Sequence, residues 1–251
     1  MRVCAVIPVY NHKDAIGQVV TALSAFELTC FLVDDGSDAD CAQVLDALAA
    51  ASTPAAPMLL LRHAQNQGKG AAVMTGIQAA SDAGFSHVLQ LDADGQHNVA
   101  DVAKFVAAAT QQPQAFVIGC PIYDESVPAK RFYARYLTHV WVWINTLSLQ
   151  IKDTMCGFRV YPIDAVLALQ DEKALGSRMD FDTEVLVRLC WAGLPVVNVP
   201  TKVSYPLDGV SHFRLWLDNA LISKMHARLF FGMLYRSPRL LARKFGMGTA
   251  A

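Results

Sequence analysis

The chain has 251 residues, 53% of them hydrophobic and 17% charged. That length suits one large domain with a sizeable core, and the composition excludes a disordered chain. A net charge of −1 carries no nucleic-acid footprint, so no nucleic-acid partner is expected.

Taken in chain order, apolar strands are predicted over 3–9, 28–33, 58–62, 87–91 and 115–119. Helices are predicted between them over 12–26, 39–51, 69–83 and 99–110. Continuous apolar strands alternating with helices imply an α/β chain whose parallel sheet is covered on both faces. The pattern then breaks. Residues 129–149 read as a helix heavy in aromatics (Phe132, Tyr133, Tyr136, Trp141, Trp143), and short strands at 158–161 and 196–199 flank a helix over 181–192.

The expected division is a domain over 1–211 and a basic tail over 212–251. The tail holds seven basic residues against one acid, a charge of +6, whereas 1–211 carries −7. Within it one apolar stripe joins Phe213, Trp216, Leu217, Phe231 and Leu234. A second joins Leu221, Ile222, Met225, Leu229 and Met233. A basic, aromatic tail suits an anionic membrane surface, and the other reading is packing or self-association into a homo-oligomer. No segment reaches the roughly 18 apolar residues of a spanning helix. The six cysteines are dispersed without zinc or redox spacing and are expected as reduced thiols of a cytoplasmic, peripheral protein.

In an open parallel sheet, ligands sit outside the carboxyl ends of the strands. Polar residues cluster at four of those ends: Pro8 to Asn11, Asp34 to Ser37, Asn66 to Gly70, and Asp92 to Gln96. In LQLDADGQH (89–97) an apolar run ends in Asp92 and Asp94, which along extended backbone would point the same way. Such a pair suits a hard divalent cation gripping a diphosphate, or else a turn that simply ends a strand. Familiar phosphate signatures fail. GKGAAV (68–73) follows the third strand and lacks the last glycine of a dinucleotide loop. A Walker A loop would need glycine where His63 stands, and an EF-hand starting at Asp92 would need glutamate at Ala103.

On a helix starting near 181, Asp182 shares a face with Val185, Leu186, Leu189 and Cys190, whereas Glu184 falls beside Arg188 as a solvated i,i+4 pair. A carboxylate among apolar side chains, unless paired, has the character of a general base. Asp180 is the expected helix cap, and His97 an exposed loop histidine.

VIPVYN (6–11), VDDGSDAD (33–40), NQGKGAAVMTG (66–76), LDADGQH (91–97), CGFRVYP (156–162) and MDFDTEVLVRLCWAG (179–193) stand in this order. Together they resemble the inverting family-2 glycosyltransferases, closest to the dolichyl- and polyprenyl-phosphate sugar synthases, over residues 2–211. The resemblance implies a GT-A fold, a nucleoside-diphosphate sugar donor, and Mg²⁺ or Mn²⁺ at Asp92 and Asp94 with Gln96 as a third oxygen. It places Pro8, Tyr10 and Asn11 beneath the nucleotide and Asp35 or Asp34 at the base. Gly68 and Lys69 would lie at the phosphates, on a helix N-terminus whose free amides favour anions. Asp94 and Asp182 are the catalytic candidates. Arg159, Arg131 and Arg135 are candidates for an anionic acceptor or the diphosphate, and Ser211 and His212 for a loop closing over the donor. Met155-Cys156 stands where relatives often carry serine. The acceptor is expected to be a lipid such as polyprenyl phosphate, at the cytoplasmic face of a membrane. The rival readings are a hydroxyl acceptor, a nucleotidyltransferase, and a non-catalytic sugar-nucleotide-binding protein.

Overall fold

The structure is a computed structural model that describes residues 1–122, 129–203 and 214–245, with side chains from 136 onward in the helix that opens at 129. Seven strands form one sheet: β1 (Val3–Val9), β2 (Cys30–Asp34), β3 (Met58–Arg62), β4 (His87–Gln90), β5 (Phe116–Ile122), β6 (Arg159–Pro162) and β7 (Val196–Lys202). Their order is β3-β2-β1-β4-β6-β5-β7. All neighbours pair in parallel except β6, which runs antiparallel between β4 and β5. The expected parallel sheet therefore carries one reversed strand, and that strand delivers Arg159 to the sheet centre.

The helices are α1 (Lys13–Ser24), α2 (Ala39–Ala50), α3 (Lys69–Asp82), α4 (Val102–Gln111), α5 (Ala129–Thr146), α6 (Ile163–Glu172), α7 (Phe181–Ala192) and α8 (Leu215–Lys244). Helix α1 buries Ile16, Val19, Val20 and Leu23, the i, i+3, i+4, i+7 stripe of an amphipathic helix. Helix α2 starts at Asp38, whose carboxylate accepts the Cys41 amide at 2.9 Å. The helix expected over 99–110 opens instead with a single 3₁₀ turn, Val99–Asp101, because the Asn98 side chain accepts the Ala100 amide.

The sheet divides the core into two clusters. One face packs against α1, α2 and α4 through Ile16, Leu45 and Phe105. The other packs against α3, α6, α7 and α8 through Ile77, Val166, Leu186 and Met225. Burying apolar area on both faces is the main stabilising term for such a sheet.

Helix α8 resolves the two tail stripes. Met225, Leu229 and Met233 are buried, whereas Trp216 is 88% and Phe231 70% exposed. The helix runs through Pro238, which has no amide to offer the Leu234 carbonyl. The Ser237 hydroxyl donates to that carbonyl instead, at 2.8 Å. Among the described residues no helix is long and apolar enough to cross a membrane. All six cysteines are free thiols.

Candidate active site

The carboxyl ends of β1, β2 and β4 converge because these strands are parallel neighbours. Pro8 is buried within β1, and Tyr10 follows its end, half-buried. Asn11 takes a positive φ of 54°. Its amide donates to Ser37 Oγ at 3.1 Å and its Oδ1 accepts the Asp38 amide at 2.8 Å. At the end of β2, Asp34 accepts Arg62 Nε at 2.7 Å and the Ser37 amide at 2.9 Å. Asp35 Oδ1 accepts the Gln67 amide and Oδ2 the Gly68 amide, both at 2.8 Å, and His63 Nδ1 lies 2.8 Å from Oδ1. Both acids are thus committed to loop backbone amides and neighbouring side chains. Neither caps α2, since Asp38 does.

The centre of the site is a paired charge network. Lys69 Nζ bridges two carboxylates, Asp92 Oδ1 at 2.7 Å and Asp182 Oδ2 at 2.8 Å. Burial alone would lower the lysine's pKa, but the two carboxylates outweigh it and raise it above the ordinary value. Burial alone would raise that of Asp92, yet Lys69 and His97 hold it well below the usual carboxylate range. Arg159 is fully buried. Its guanidinium donates to the carbonyls of Cys156 (2.7 Å), Asp182 (2.6 Å) and Thr154 (2.7 Å) and to the Tyr161 hydroxyl (3.0 Å). It also stands 3.3 Å from Asp182 Oδ1. This corrects the expectation that Arg159 meets the acceptor or the diphosphate: a reversed strand at the sheet centre leaves its donors turned toward protein carbonyls.

Other expectations also change. Strand β4 ends at Gln90, so Asp92 and Asp94 lie in the loop beyond it, Asp94 within a turn. Asp92 turns inward beneath Gly157, where a Cβ would stand 2.0 Å from its Oδ2. Only glycine permits that approach. Asp94 is half-buried and accepts the Gln96 amide at 3.0 Å. The side chain of His97 is 7% exposed, not solvated, and its Nε2 lies 3.6 Å from Asp92 Oδ2. Burial opposes a proton on that ring, but Asp92 and Cys156 prevail and push its pKa up to about 10.

Glu184 is the largest reversal. It is 1% exposed and its partner Arg188 7%, so they are no solvated pair. Helix α7 is enclosed by α3, α5, α6 and α8, so every side of its first turns is interior. Arg188 donates to the carbonyls of Leu169 and Lys173, closing the end of α6. Asp180 occupies the N-cap position of α7, but its carboxylate accepts the Arg178 amide outside the helix. The N-terminus of α3 is less open than expected, since the Ala71 amide donates to the Ser177 carbonyl at 2.9 Å.

Sequence reasoning missed Gln90, His63 and Gly157. Gln90 did leave a signal, being a polar residue inside a fully buried apolar strand; its Nε2 donates to Asp182 Oδ1 at 3.3 Å. Arg131 and Arg135 fall on α5 with their side chains outside the description, and Ser211 and His212 lie outside the described residues.

Among the described residues no group of three or more His, Cys, Asp or Glu converges as a metal cage. Mg²⁺ and Mn²⁺ are commonly held by one or two carboxylates with phosphate oxygens and water. Asp94, to which no ion pair is made among the described residues, and Asp92 in the same loop fit that sparse donor set.

Residues 4–166 match the family model described as Glycosyl transferase family 2. A UDP-N-acetylglucosamine–dolichyl-phosphate N-acetylglucosaminyltransferase of Methanococcus voltae is 25% identical, over 80% of this chain and 84% of its own. An undecaprenyl-phosphate mannosyltransferase of Micrococcus luteus is 23% identical, over 80% and 82%. Among solved structures, glucosyl-3-phosphoglycerate synthase from Mycobacterium tuberculosis, in complex with Mn²⁺ and UDP-glucose, superposes with a TM-score of 0.65 at 13% identity. It covers 92% of this chain and 78% of that one, which establishes the shared GT-A-type fold.

Proposed function

The chain belongs to glycosyl transferase family 2, and from that premise we propose that it transfers a sugar, with inversion, from a nucleoside-diphosphate donor to a polyprenyl-phosphate acceptor. The observation that carries the acceptor class is the state of Asp182. Its Oδ2 takes Lys69 and its Oδ1 faces Gln90 and Arg159, so both oxygens are already engaged by cations or donors of the protein, which disfavours proton uptake. A hydroxyl acceptor needs a base to remove its proton; a phosphate acceptor is already an anion near neutral pH. The polyprenyl- and dolichyl-phosphate acceptors in the names of the relatives agree with this reading.

In this mechanism Pro8, Tyr10 and Asn11 line the nucleotide end, with Asp34 and Asp35 shaping the two loops beside it. Asp92 and Asp94, with Gln96 nearby, would hold Mg²⁺ or Mn²⁺, which neutralises charge on the departing nucleoside diphosphate. Lys69 keeps Asp92 and Asp182 at a fixed separation, and Arg159 pins the backbone of both flanking segments. That preorganisation is what the chain's own residues contribute to the displacement. Gly68, with φ 107°, allows the sharp entry into α3.

We place the reaction at the cytoplasmic face of a membrane, with residues 1–211 as the catalytic domain and 212–251 as the membrane-facing tail. The exposed Trp216, Phe231 and Tyr235, beside the tail's basic residues, suit an interfacial helix. The free cysteines suit a reducing compartment.

The test supplies UDP- and GDP-sugars with Mn²⁺ to the protein in the presence of polyprenyl phosphate or polyprenol. The expected result is a glycosylated polyprenyl phosphate and released nucleoside diphosphate. Glycosylation of the polyprenol alone would overturn the acceptor assignment, and released pyrophosphate would point to nucleotidyl transfer.

A further inference from the structure

The N-terminal turn of α3, which carries Lys69, is roofed by the segment joining α6 to α7. The Gly176 carbonyl comes so close that a Cβ on Gly70 would stand 2.5 Å from it. The Ser177 carbonyl accepts the Ala71 amide, and Arg178 Nη1 donates to Asn66 Oδ1 at 3.3 Å. The roof is itself suspended from a buried acid, since the Gly176 amide donates to Glu184 Oε2 at 3.0 Å. Glu184 in turn is held by Arg228, which reaches in from α8 to the same oxygen, while Arg188 lies 3.6 Å from Oε1.

We propose that Arg228 is a positioning residue for the donor site. From the outermost helix it fixes, through Glu184 and Gly176, the backbone laid over Lys69 and hence the place of the donor's diphosphate. The inference deepens the proposed function and rests on the donor's phosphates lying by Gly68 and Lys69, where the family resemblance puts them.

The physical argument is one of compensation. A buried carboxylate that loses its cation must be recompensed or neutralised. For Glu184 the nearest remaining cation is Arg188, on the side of Oε1. Turning toward it draws Oε2 away from the Gly176 amide and releases the roof. Close packing leaves the displaced segment few alternative positions, so the shift is felt at Gly70 and Lys69. A misplacement of about 1 Å is enough to be felt at a site that holds its ligand by geometry.

A second arginine of α8 supplies the control. Arg243 donates to the Cys190 and Trp191 carbonyls at the far end of α7. It therefore fastens the same two helices together without touching Glu184. Binding of UDP and of GDP, each with Mn²⁺, is measured by titration calorimetry on the full chain. Arg228→Met should weaken the nucleotide that wild type binds by about tenfold, equivalent to about 1.4 kcal/mol. Turnover at saturating donor should stay within about threefold, and Arg228→Lys should restore most of the affinity. Arg243→Met should lower the melting temperature and leave nucleotide affinity within about twofold.

Unchanged affinity in Arg228→Met, or equal weakening in Arg243→Met, would overturn the proposal. Should Arg228→Met fail to fold, Glu184→Gln must show the same affinity loss, and wild-type affinity there counts against it equally. Wild type binding neither nucleotide would instead remove the donor reading beneath both proposals.

Discussion

Helices α7 and α8 are neighbours with opposite relations between polarity and burial. The first turns of α7 hold Asp182, Glu184 and Arg188, all under 10% exposed. Helix α8 leaves Trp216, Phe231 and Tyr235 at 70% exposure or more. The buried charges of α7 are tolerable because each has a partner: Lys69 and Arg159 for Asp182, Arg228 for Glu184, and the α6 carbonyls for Arg188. Unpaired, any of them would carry a desolvation penalty of several kcal/mol. The exposed aromatics of α8 cost the isolated fold little, because surface hydrophobic residues are ordinary in folded proteins. Position in the layers, more than composition, decides which side chains are covered.

The largest test of this contrast breaks the pairing beneath α7. Arg159→Met removes the buried side-chain donor from three carbonyls and leaves Asp182 with one cation fewer. A loss of about 3–5 kcal/mol is expected in chemical denaturation. A loss under about 1 kcal/mol would mean the network is not structural. Next, Asp182→Asn releases one arm of Lys69 while keeping size and shape. Its kcat/KM with a polyprenyl-phosphate acceptor should fall about 10–100-fold, as for other residues that orient a site from behind. Unchanged kcat/KM would detach α7 from catalysis.

The inner face of α8 offers a pH test. Burial pushes His226 down to about 4 from 6.5. Between those values the unfolded chain binds a proton that the folded chain does not, so stability should fall as pH drops through that window. Above it no slope from this group is expected. Urea midpoints measured from pH 7 to pH 4 should show the decline in wild type and a shallower one in His226→Leu. Identical slopes would remove His226 as the cause.

The smallest effect on the fold should come from the outer face of α8. Trp216→Ser with Phe231→Ser should alter stability by no more than about 0.5 kcal/mol per site. Binding to vesicles containing phosphatidylglycerol, read by co-sedimentation, should drop about tenfold or more. Retained vesicle binding would shift the tail toward packing or self-association.

The sequence by itself determined the alternating elements, the convergence of polar strand ends, and both stripes of α8, of which Met225 and Leu229 proved inward and Trp216 and Phe231 outward. Local periodicity suffices to place the elements and the stripes, and packing of α8 on α5 and α7 selected which stripe is covered. Tertiary structure alone decided the reversal of β6, the burial of Glu184 and His97, and the inward turn of Asp92 beneath Gly157. A helical wheel sees one helix, whereas α7 is covered from several sides by elements distant in the chain. The partners that make those buried charges affordable, Lys69 from α3 and Arg228 from α8, lie far away in sequence, and no local pattern announces them.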